Sequence, residues 1–430
     1  NEVTQHAHPD GSMRTIAPLL LLVGAASAFT TNAARLATPR VAASVRMGLV
    51  EELVSALPTT EPIKAALAAV PLPDELVTGL AVAPYAVVAA LVLRTAFERL
   101  LVPVLCSSGS AEQEGSLKSQ QYTRGRKLGG GNYGAVYEGF KGDEDEPSVV
   151  IKETSQKAEL VDGNLANFGL SELYMNQKLM LCGQGGNIAK FQGHYYYGGD
   201  LCMVYQREGE LTLADALKGK DFPYNVEEAL TGKESGEESL ELQAKLIRKM
   251  AGQVFGALDG IHSWSVVHRD VKGANLVLSD REKRFKLIDF GAACDTASGT
   301  NYDPRIQVFD KEFGPPEADL YKATNGQEGG FVVGAGGKFD VYCAGLLVLQ
   351  MCFPPLRGPN GVKRFKAAIV NYDYDLAAWR ESVEGTKGYA EGVEILDNNG
   401  GWKLLAGCLK ESPGQRISSS AAASSGFCRA

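Results

Sequence analysis

The sequence predicts an α+β fold with two lobes, a strand-rich lobe over residues 122–206 and a helical lobe over residues 207–427. Short β-prone runs around a glycine-rich turn indicate the first lobe. Apolar residues at helical spacing dominate a long segment of the second. Upstream, residues 76–93 form an uncharged apolar stretch that predicts a single transmembrane helix. With 430 residues, the chain has room for two or three units of domain size.

The composition is that of a globular protein and excludes some classes of function. Hydrophobic residues make up 45% of the chain and charged residues 22%, so most of it should fold. The net charge of −8, without clusters of Lys and Arg, argues against a nucleic-acid-binding surface. The eight cysteines show no CxxC or Cys/His spacing that suits zinc. We interpret them as reduced thiols in a reducing compartment.

Two segments at the start of the chain are typical of targeting leaders. We expect residues 1–12 to be translated upstream sequence and Met13 to be the true start. Residues 13–28 join one Arg to an apolar run that ends in Ala-Ser-Ala, which predicts a signal peptide; a buried N-terminal helix is the alternative. Residues 29–50 are rich in Ala, Ser and Thr, contain Arg and no acidic residue, and predict a transit peptide.

The predicted transmembrane helix over 76–93 is long enough, at ~1.5 Å per residue, to cross most of a ~30 Å hydrocarbon layer. A hairpin helix packed on the folded domain is the alternative. Two acidic residues precede the stretch and two arginines follow it, so the C-terminal bulk should face the cytosol-equivalent side. Residues 107–119, rich in Ser, Gly and Glu, predict a linker.

A glycine-rich turn opens the strand-rich lobe. The run LGGGNYGAV matches GxGxxGxV through Gly129, Gly131, Gly134 and Val136. Glycine lets backbone N–H groups approach an anion closely, so this turn could fold over phosphates. A flexible hairpin is the alternative. An apolar strand follows and ends in Lys152, whose alternative interpretation is a lysine at a strand edge.

The helical lobe contains two further motifs. A predicted helix over 242–261 leads into HRDVKGANL, in which Asp270 precedes Asn275 by five residues. An apolar strand then ends in Asp-Phe-Gly, which begins at Asp289. The helix is predicted from apolar residues at 3.6-residue spacing: Leu246, Met250, Val254, Leu258 and Ile261. Residues 219–241 are acidic without an apolar period and predict a solvated surface insertion.

In this order and spacing, the glycine-rich turn, the strand lysine, HRDxxxxN and DFG resemble the protein kinase family over residues 122–427. The resemblance implies a bilobal kinase fold that uses ATP and Mg²⁺. Asp270 would orient the acceptor hydroxyl, and Lys272 would offset charge on the transferred phosphoryl group. Asn275 and Asp289 would hold Mg²⁺.

The resemblance also implies how ATP is held. Lys152 would contact the α- and β-phosphates, and Glu172, on a predicted helix through 170–175, would be its ion-pair partner. Glu159 is the alternative partner. Met203 would line the back of the adenine pocket, Val204 to Gln206 would form the hinge, and Glu210 would reach the ribose. The predicted ATP-binding residues are Gly129, Gly131, Gly134, Val136, Lys152, Met203, Val204, Gln206 and Glu210.

Three residues match structural positions of the family. Glu317 ends GPPE, which stands where kinases have APE, and Arg416 matches the late Arg that pairs with that Glu. Asp340 begins DVYCAG, similar to DxWxxG with Tyr in place of Trp. Asp340 would hold the backbone of the catalytic loop from a buried helix.

Lys272, two residues after Asp270, is typical of Ser/Thr kinases. Arg269 resembles the residue that pairs with a phosphate on the activation loop of many kinases. Asp310 stands seven residues before Glu317, where many Ser/Thr kinases have a Thr that bridges the catalytic Asp and Lys. This departure puts ordinary substrate docking in doubt. The candidate phosphorylation sites are Thr296, Ser298, Thr300 and Tyr302.

The leader, the single span, and the runs GAA at 291–293 and TNYDP at 300–304 resemble the thylakoid state-transition kinase family. The resemblance implies a Ser/Thr kinase at the plastid thylakoid membrane, facing the stroma, that phosphorylates light-harvesting antenna proteins or photosystem II core subunits. The state-transition member has paired lumenal cysteines before its span, whereas here no cysteine precedes Cys106. The core-subunit branch is therefore as plausible as the antenna branch.

Two alternatives come from other classes. A pseudokinase scaffold would bind photosystem or antenna subunits without transferring phosphate, but its usual mark, loss of Lys152, Asp270 or Asp289, is absent. A receptor-like kinase of the secretory pathway or plasma membrane is the second alternative. Its ectodomain would be too short to bury a ligand-binding core.

Overall fold

The computed structural model describes residues 94–107, 116–131, 134–154, 159–161, 164–166, 168–183, 186–301, 310–318 and 336–430. The predicted extension 1–12, the leader segments 13–28 and 29–50, and the predicted span 76–93 lie outside these residues. Among the helices of the described part, none has both the length and the apolar character that a bilayer crossing requires.

The chain divides into two compact units. The smaller unit comprises Asn1–Leu105 and Leu181–Gly183. Its described part includes a π-helical turn, Phe97–Leu101, and the start of helix α1, Val102–Ser107. The larger unit, Cys106–Met180 and Gln184–Ala430, contains the strand-rich and helical lobes.

The strand-rich lobe is built on a five-stranded antiparallel sheet of order β1-β2-β3-β7-β6. Two short strands, β4 and β5, form a separate hairpin. Helix α2, Phe168–Cys182, contains the predicted helical stretch 170–175. The strands are β1 Tyr122–Gly131, β2 Gly134–Lys141, β3 Val149–Thr154, β4 Glu159–Val161, β5 Asn164–Ala166, β6 Phe191–Tyr197 and β7 Asp200–Gln206.

The two faces of the sheet bury different side chains, because alternate residues of a strand point to opposite faces. One apolar cluster contains Val149, Ile151, Tyr195, Cys202 and Val204. The other contains Phe191, Leu201 and Met203 with Leu173 of α2. Lys152 pairs across strands with Met203, so it lies on the face that packs against α2.

The end of the predicted linker 107–119 packs on the strand-rich lobe. The backbone N–H of Leu117 donates to the carbonyl of His194 on β6 at 2.9 Å. The Leu117 side chain packs against the apolar cluster of Val149 and Ile151. Residues 116 and 117 therefore extend the lobe.

The helical lobe is joined to the sheet by the segment after β7. Its small strands form two antiparallel pairs, β8 with β11 and β9 with β10. These strands are β8 Val266–Val267, β9 Leu276–Ser279, β10 Arg284–Leu287 and β11 Cys294–Asp295. The helices are α3 Leu213–Lys218, α4 Glu227–Thr231, α5 Leu240–His262, α6 Gly337–Cys352, α7 Gly361–Asn371, α8 Leu376–Val383, α9 Ala390–Asp397, α10 Gly401–Cys408, α11 Ser419–Ala423 and α12 Gly426–Arg429.

Helices α5 and α6 form the centre of this lobe. Helix α5 is amphipathic and begins at Ser239, whose hydroxyl accepts the backbone N–H of Leu242. Helix α6 is buried on all sides from Phe339 to Leu349, as expected for a helix without a polar face. The predicted apolar positions of α5, all buried, are Leu246, Met250, Val254, Leu258 and Ile261.

The prediction of a solvated loop over 219–241 is wrong in its middle. A 3₁₀ turn, Tyr224–Val226, leads into α4, and Phe222, Val226 and Leu230 are buried. Val226 and Leu230 stand four residues apart and share one face of a helical turn. This interval was too short to produce a recognisable apolar period in an acidic segment.

Candidate active site

The Lys152 cluster, made of Lys152, Glu172 and Asp289, joins β3, α2 and the loop after β10. Lys152 Nζ lies 2.8 Å from the carboxylate of Glu172 and 2.7 Å from Oδ1 of Asp289. The side chains of Lys152 and Glu172 are 19% and 3% exposed, whereas that of Asp289 is 45% exposed. One ammonium therefore links a buried carboxylate to one that faces solvent.

The charges of this cluster stabilise one another. Burial acts to lower the pKa of Lys152, but the adjacent Glu172 and Asp289 carboxylates outweigh it and raise that pKa. Burial also acts to raise the pKa of Asp289, yet Lys152 brings it below its ordinary value. At neutral pH, Lys152 is a cation and Asp289 an anion.

Two residues that the sequence did not single out complete this cluster. The hydroxyl of Tyr205, on β7, donates to Glu172 Oε1 at 3.3 Å. Asn176, one turn after Glu172 on α2, donates to the Tyr205 hydroxyl at 2.8 Å. Both residues restrict the orientation of the Glu172 side chain. The spacing of Asn176 four residues after Glu172 is the signal that could have identified it.

The glycine-rich turn links β1 and β2 beside this cluster. Gly129 pairs with Val136, and Gly131 with Gly134, so these strands approach each other up to the turn. A Cβ at Gly134, where φ is 154°, would lie 2.0 Å from the carbonyl oxygen of Glu153. A Cβ at Gly129 would meet no atom within 4 Å. Gly134 is thus required by the packing of β2 on β3, while Gly129 borders open space.

The loop after β8 is held by Asp340 of α6. Its carboxylate accepts the backbone N–H groups of His268 at 2.7 Å and of Arg269 at 2.8 Å. Arg269 has a φ of 65°, a conformation that costs energy in a residue other than glycine. The His268 ring reaches the carbonyl of Ile288 at 3.0 Å through Nε2. The loop is therefore fixed relative to both α6 and the residue before Asp289.

The Lys272 cluster is made of Asp270, Lys272 and Asp310. Lys272 Nζ lies 3.0 Å from Oδ1 of Asp270 and 3.1 Å from Oδ2 of Asp310. Asn275 donates from Nδ2 to Oδ2 of Asp270 at 2.8 Å. Oδ1 of Asp270 is buried and has no hydrogen-bond donor in the described residues. Its contact with Lys272 is therefore ionic, and a lone pair of Oδ1 stays available.

Asn275 and Asp289 are brought together by the β9–β10 pair. The backbone N–H of Ile288, next to Asp289, donates to the carbonyl of Asn275 at 3.0 Å. Asn275 contacts Asp270 through its amide nitrogen, which leaves its amide oxygen for a cation. Asp289 contacts Lys152 through Oδ1. Amide and carboxylate oxygens are ligands that Mg²⁺ accepts, so these two residues fit that ion.

The structure corrects the predicted hinge. The side chain of Val204 is fully buried in the cluster with Ile151, on the sheet face away from Lys152. Its backbone lies inside the sheet, where it pairs with Ile151 and Gly193. Residue 204 therefore cannot present its backbone to adenine, and the prediction for Val204 is wrong. The connection between the lobes begins after β7, which ends at Gln206.

The other predicted adenine and ribose residues lie in different environments. Met203 is fully buried with Leu173, and the neighbouring Tyr205 extends further along the same face of β7. The backbone N–H of Gln206 donates to Lys190 at 2.9 Å. Glu210 is 56% exposed and contacts Arg126 at 2.9 Å and Arg207 at 2.6 Å. Two arginines therefore occupy the Glu210 carboxylate.

Glu317 and Arg416 form a buried bidentate ion pair. The guanidinium nitrogens lie 2.7 and 2.6 Å from the two carboxylate oxygens. Arg416 also donates to the carbonyls of Lys410 and Glu411 at 2.7 Å. The segment that ends at Glu317 is thereby attached to the C-terminal part of the lobe.

The candidate phosphorylation sites, apart from Tyr302, which lies outside the described residues, make hydrogen bonds within the protein. Thr296 donates to the Ser265 carbonyl at 3.0 Å, and Ser298 donates to Asp295 at 2.7 Å. Thr300 contacts the Ser298 hydroxyl at 2.8 Å. Asp295 in turn forms a fully buried ion pair with Lys178 of α2 at 2.8 Å. This segment is therefore attached to α2 without a phosphate.

Comparison with known proteins agrees with this geometry. The family model for the protein kinase domain matches residues 122–428. The chain is similar to the chloroplastic serine/threonine-protein kinase STN7 of Arabidopsis thaliana, with 32% identity over 329 residues, 71% of this chain and 57% of STN7. To STN8 of the same plant, also chloroplastic, it is 30% identical over 333 residues, 69% of this chain and 67% of STN8.

A solved structure shows the same fold. The crystal structure of a Stt7 homolog from Micromonas algae, soaked with ATP, matches with a TM-score of 0.58 at 24% identity. The match covers 73% of this chain and 94% of that one. The predicted bilobal fold is thereby confirmed. The chain belongs to the protein kinase family, in its serine/threonine branch.

Proposed function

We propose that this protein transfers the γ-phosphate of ATP to Ser or Thr hydroxyls of other proteins. The observation that carries the proposal is the position of Lys152, whose Nζ contacts Glu172 at 2.8 Å and Asp289 at 2.7 Å. A lysine linked at once to the helix α2 and to the Asp of the DFG motif is the arrangement that positions ATP phosphates in protein kinases.

The nucleotide side follows from this arrangement. Lys152, fixed by Glu172, would contact the α- and β-phosphates, and the backbone N–H groups of the glycine-rich turn would approach them from above. Asn275 and Asp289 would hold Mg²⁺, which when bound supplies charge neutralisation to the phosphates. Tyr205 and Asn176 keep Glu172 oriented toward Lys152.

The acceptor side depends on Asp270. Asn275 holds one oxygen of its carboxylate, and the other has no donor in the described residues. This second oxygen would accept the proton of the acceptor hydroxyl as that oxygen bonds to the γ-phosphorus and the bond to the leaving ADP breaks. Lys272 would offset the charge on the transferred phosphoryl group.

We further propose that the substrates are thylakoid proteins, either light-harvesting antenna proteins or photosystem II core subunits. Similarity to two chloroplastic kinases supports a plastid location. The targeting-leader composition of residues 13–50 and the apolar stretch 76–93 support a membrane-anchored protein with its kinase domain in the stroma.

The test is phosphorylation of isolated thylakoid membranes by the purified full chain with labelled ATP, followed by mass spectrometry of phosphorylated sites. The matched control is the Asp270→Asn variant, which keeps the shape of the side chain. We expect new phosphoserine and phosphothreonine that the variant does not produce. Equal labelling by both proteins, or ATP binding without any transfer to protein, would contradict the proposal, and the second result would favour a scaffold.

A further inference from the structure

Asp310 lies in the acceptor region, although it is far from Asp270 in sequence. Its Oδ1 accepts the backbone N–H of Glu312 at 2.8 Å, and its carbonyl accepts that of Gly314 at 2.8 Å. These bonds close a turn and leave Oδ2 directed at Lys272. The position of the carboxylate is therefore set by the backbone of its own turn.

Lys272 lies between two carboxylates but hydrogen-bonds to only one of them. Its ammonium donates to Oδ2 of Asp310 at 3.1 Å. It lies 3.0 Å from Oδ1 of Asp270, yet that oxygen receives no hydrogen bond from the described residues. The ammonium thus stays close enough to stabilise negative charge near Asp270 without occupying the lone pair of Oδ1.

An ionised carboxylate suits this role because it can only accept hydrogen bonds. Burial acts to raise the pKa of Asp310, but the backbone N–H of Glu312 and the Lys272 ammonium bring it below its ordinary value. Asp310 is therefore ionised at neutral pH and has no proton to donate to Asp270. It can only draw the ammonium of Lys272 toward itself.

We propose that Asp310 is a positioning residue for phosphoryl transfer: it takes the directed hydrogen bond of Lys272 and so keeps Oδ1 of Asp270 open to the acceptor hydroxyl. This inference rests on the proposed function. In the step concerned, the acceptor oxygen bonds to the γ-phosphorus, the bond from that phosphorus to the β–γ bridging oxygen breaks, and ADP leaves. The proton of the acceptor hydroxyl passes to Oδ1 of Asp270.

A neutral residue at position 310 should impair this step in a recognisable way. In the Asp310→Asn variant, Lys272 loses its second carboxylate and turns fully to Asp270. A hydrogen bond to the charged form of a carboxylate favours that form, so Asp270 becomes a weaker proton acceptor. The loss should appear in kcat, whereas the KM for ATP depends on the separate Lys152 cluster.

The experiment is steady-state kinetics of the full chain with ATP, Mg²⁺ and an acceptor protein that the wild type phosphorylates. For Asp310→Asn we expect kcat about 10-fold lower, the KM for ATP within about twofold, and the acidic limb of the kcat–pH profile displaced to lower pH. Asp310→Glu keeps the charge and should recover part of kcat. Asp310→Ala, which lacks an amide, repeats the test, and Glu312→Gln, an exposed neighbour in the same turn, is the matched control.

Thermal unfolding of each variant separates this effect from loss of the fold. A kcat within twofold of wild type in Asp310→Asn and Asp310→Ala would overturn the inference. So would an Asp310→Glu variant as slow as Asp310→Asn, or a loss confined to the KM for ATP. A wild type that binds ATP but phosphorylates no protein would instead overturn the proposed function and this inference with it.

Discussion

Two clusters in the candidate site share one design, a lysine between two carboxylates, and differ in how much of each carboxylate is occupied. In the Lys152 cluster, the ammonium hydrogen-bonds to both Glu172 and Asp289. In the Lys272 cluster, it hydrogen-bonds to Asp310, while Oδ1 of Asp270 has no donor in the described residues. The first arrangement fixes a cation; the second leaves a base open.

Burial differs in the same sense. Glu172 is 3% exposed and is contacted by Tyr205 and Asn176, whereas Asp310 is 30% exposed. A cluster that binds a nucleotide gains from rigidity, because a preorganised cation costs little to reorient. A cluster that receives a proton requires one unoccupied acceptor. Mutations in the two clusters should therefore affect different kinetic constants.

Replacement of Asp289 by Ala should have the largest effect, since it removes both the Mg²⁺ ligand and one partner of Lys152. We expect transfer to acceptor protein to fall at least about 1,000-fold, or ~4 kcal/mol of transition-state stabilisation. The measurement is the initial rate of labelled phosphate incorporation. Asp143→Ala, in an exposed turn between β2 and β3, is the control and should retain full activity. Full activity of Asp289→Ala would refute the assignment of the cluster.

The Arg416→Ala variant tests what holds the segment that carries Asp310. It leaves Glu317 buried without a partner, so we expect the free energy of unfolding to fall by about 3–5 kcal/mol. Denaturant unfolding followed by circular dichroism measures it. Arg380→Ala, which breaks the solvent-facing pair with Asp397, is the matched control and should change little. Equal stability of the two variants would show that the buried pair does not anchor this segment.

Glu172→Gln should sharpen the comparison, because it removes one charge from the Lys152 cluster and leaves the Lys272 cluster intact. We expect kcat/KM for ATP to fall about 10- to 100-fold, that is ~1.4–2.7 kcal/mol. The acidic limb of the kcat–pH profile should not move. Glu153→Gln, on the next position of β3, is a control that leaves Lys152 paired with Glu172. A displaced pH profile in Glu172→Gln would mean that the clusters are coupled.

The smallest expected effect concerns stability and pH. The lowered pKa of Asp310 means that its stabilising contribution is present above the pKa of an unfolded Asp, about 3.9, and is lost as the pH falls through the folded value. The unfolding free energies of wild type and Asp310→Asn should differ by ~1 kcal/mol or less. That difference should stay constant from about pH 8 to 5 and shrink below about pH 4. A difference that grows on acidification would contradict the ion pair with Lys272.

Much of this site could be predicted because its parts are contiguous motifs. A glycine-rich turn, a strand lysine, HRDxxxxN and DFG each specify residue type and spacing, and the fold follows from their order. The helix α5 was predicted in the same way, from five apolar residues at regular spacing that the structure buries. Local sequence was sufficient wherever the chemistry and the structural element coincide.

The rest depends on packing between distant segments. Tyr205 and Asn176 reach Glu172 only because β7 and α2 pack together, and neither belongs to a motif. The error at Val204 came from the length of β7, which extends two residues beyond it and takes its backbone into the sheet. The role of Asp310 required its contact with Lys272 across the 37 intervening residues 273–309.

The most direct test of the account measures ATP binding and acceptor phosphorylation side by side in the wild type and in the Asp289→Ala and Asp310→Asn variants. The account predicts that the wild type binds ATP with Mg²⁺ and forms phosphoserine or phosphothreonine. It predicts that Asp289→Ala loses transfer, and that Asp310→Asn binds ATP normally but transfers about 10-fold more slowly. A wild type that binds ATP and forms no phosphorylated product would contradict the account.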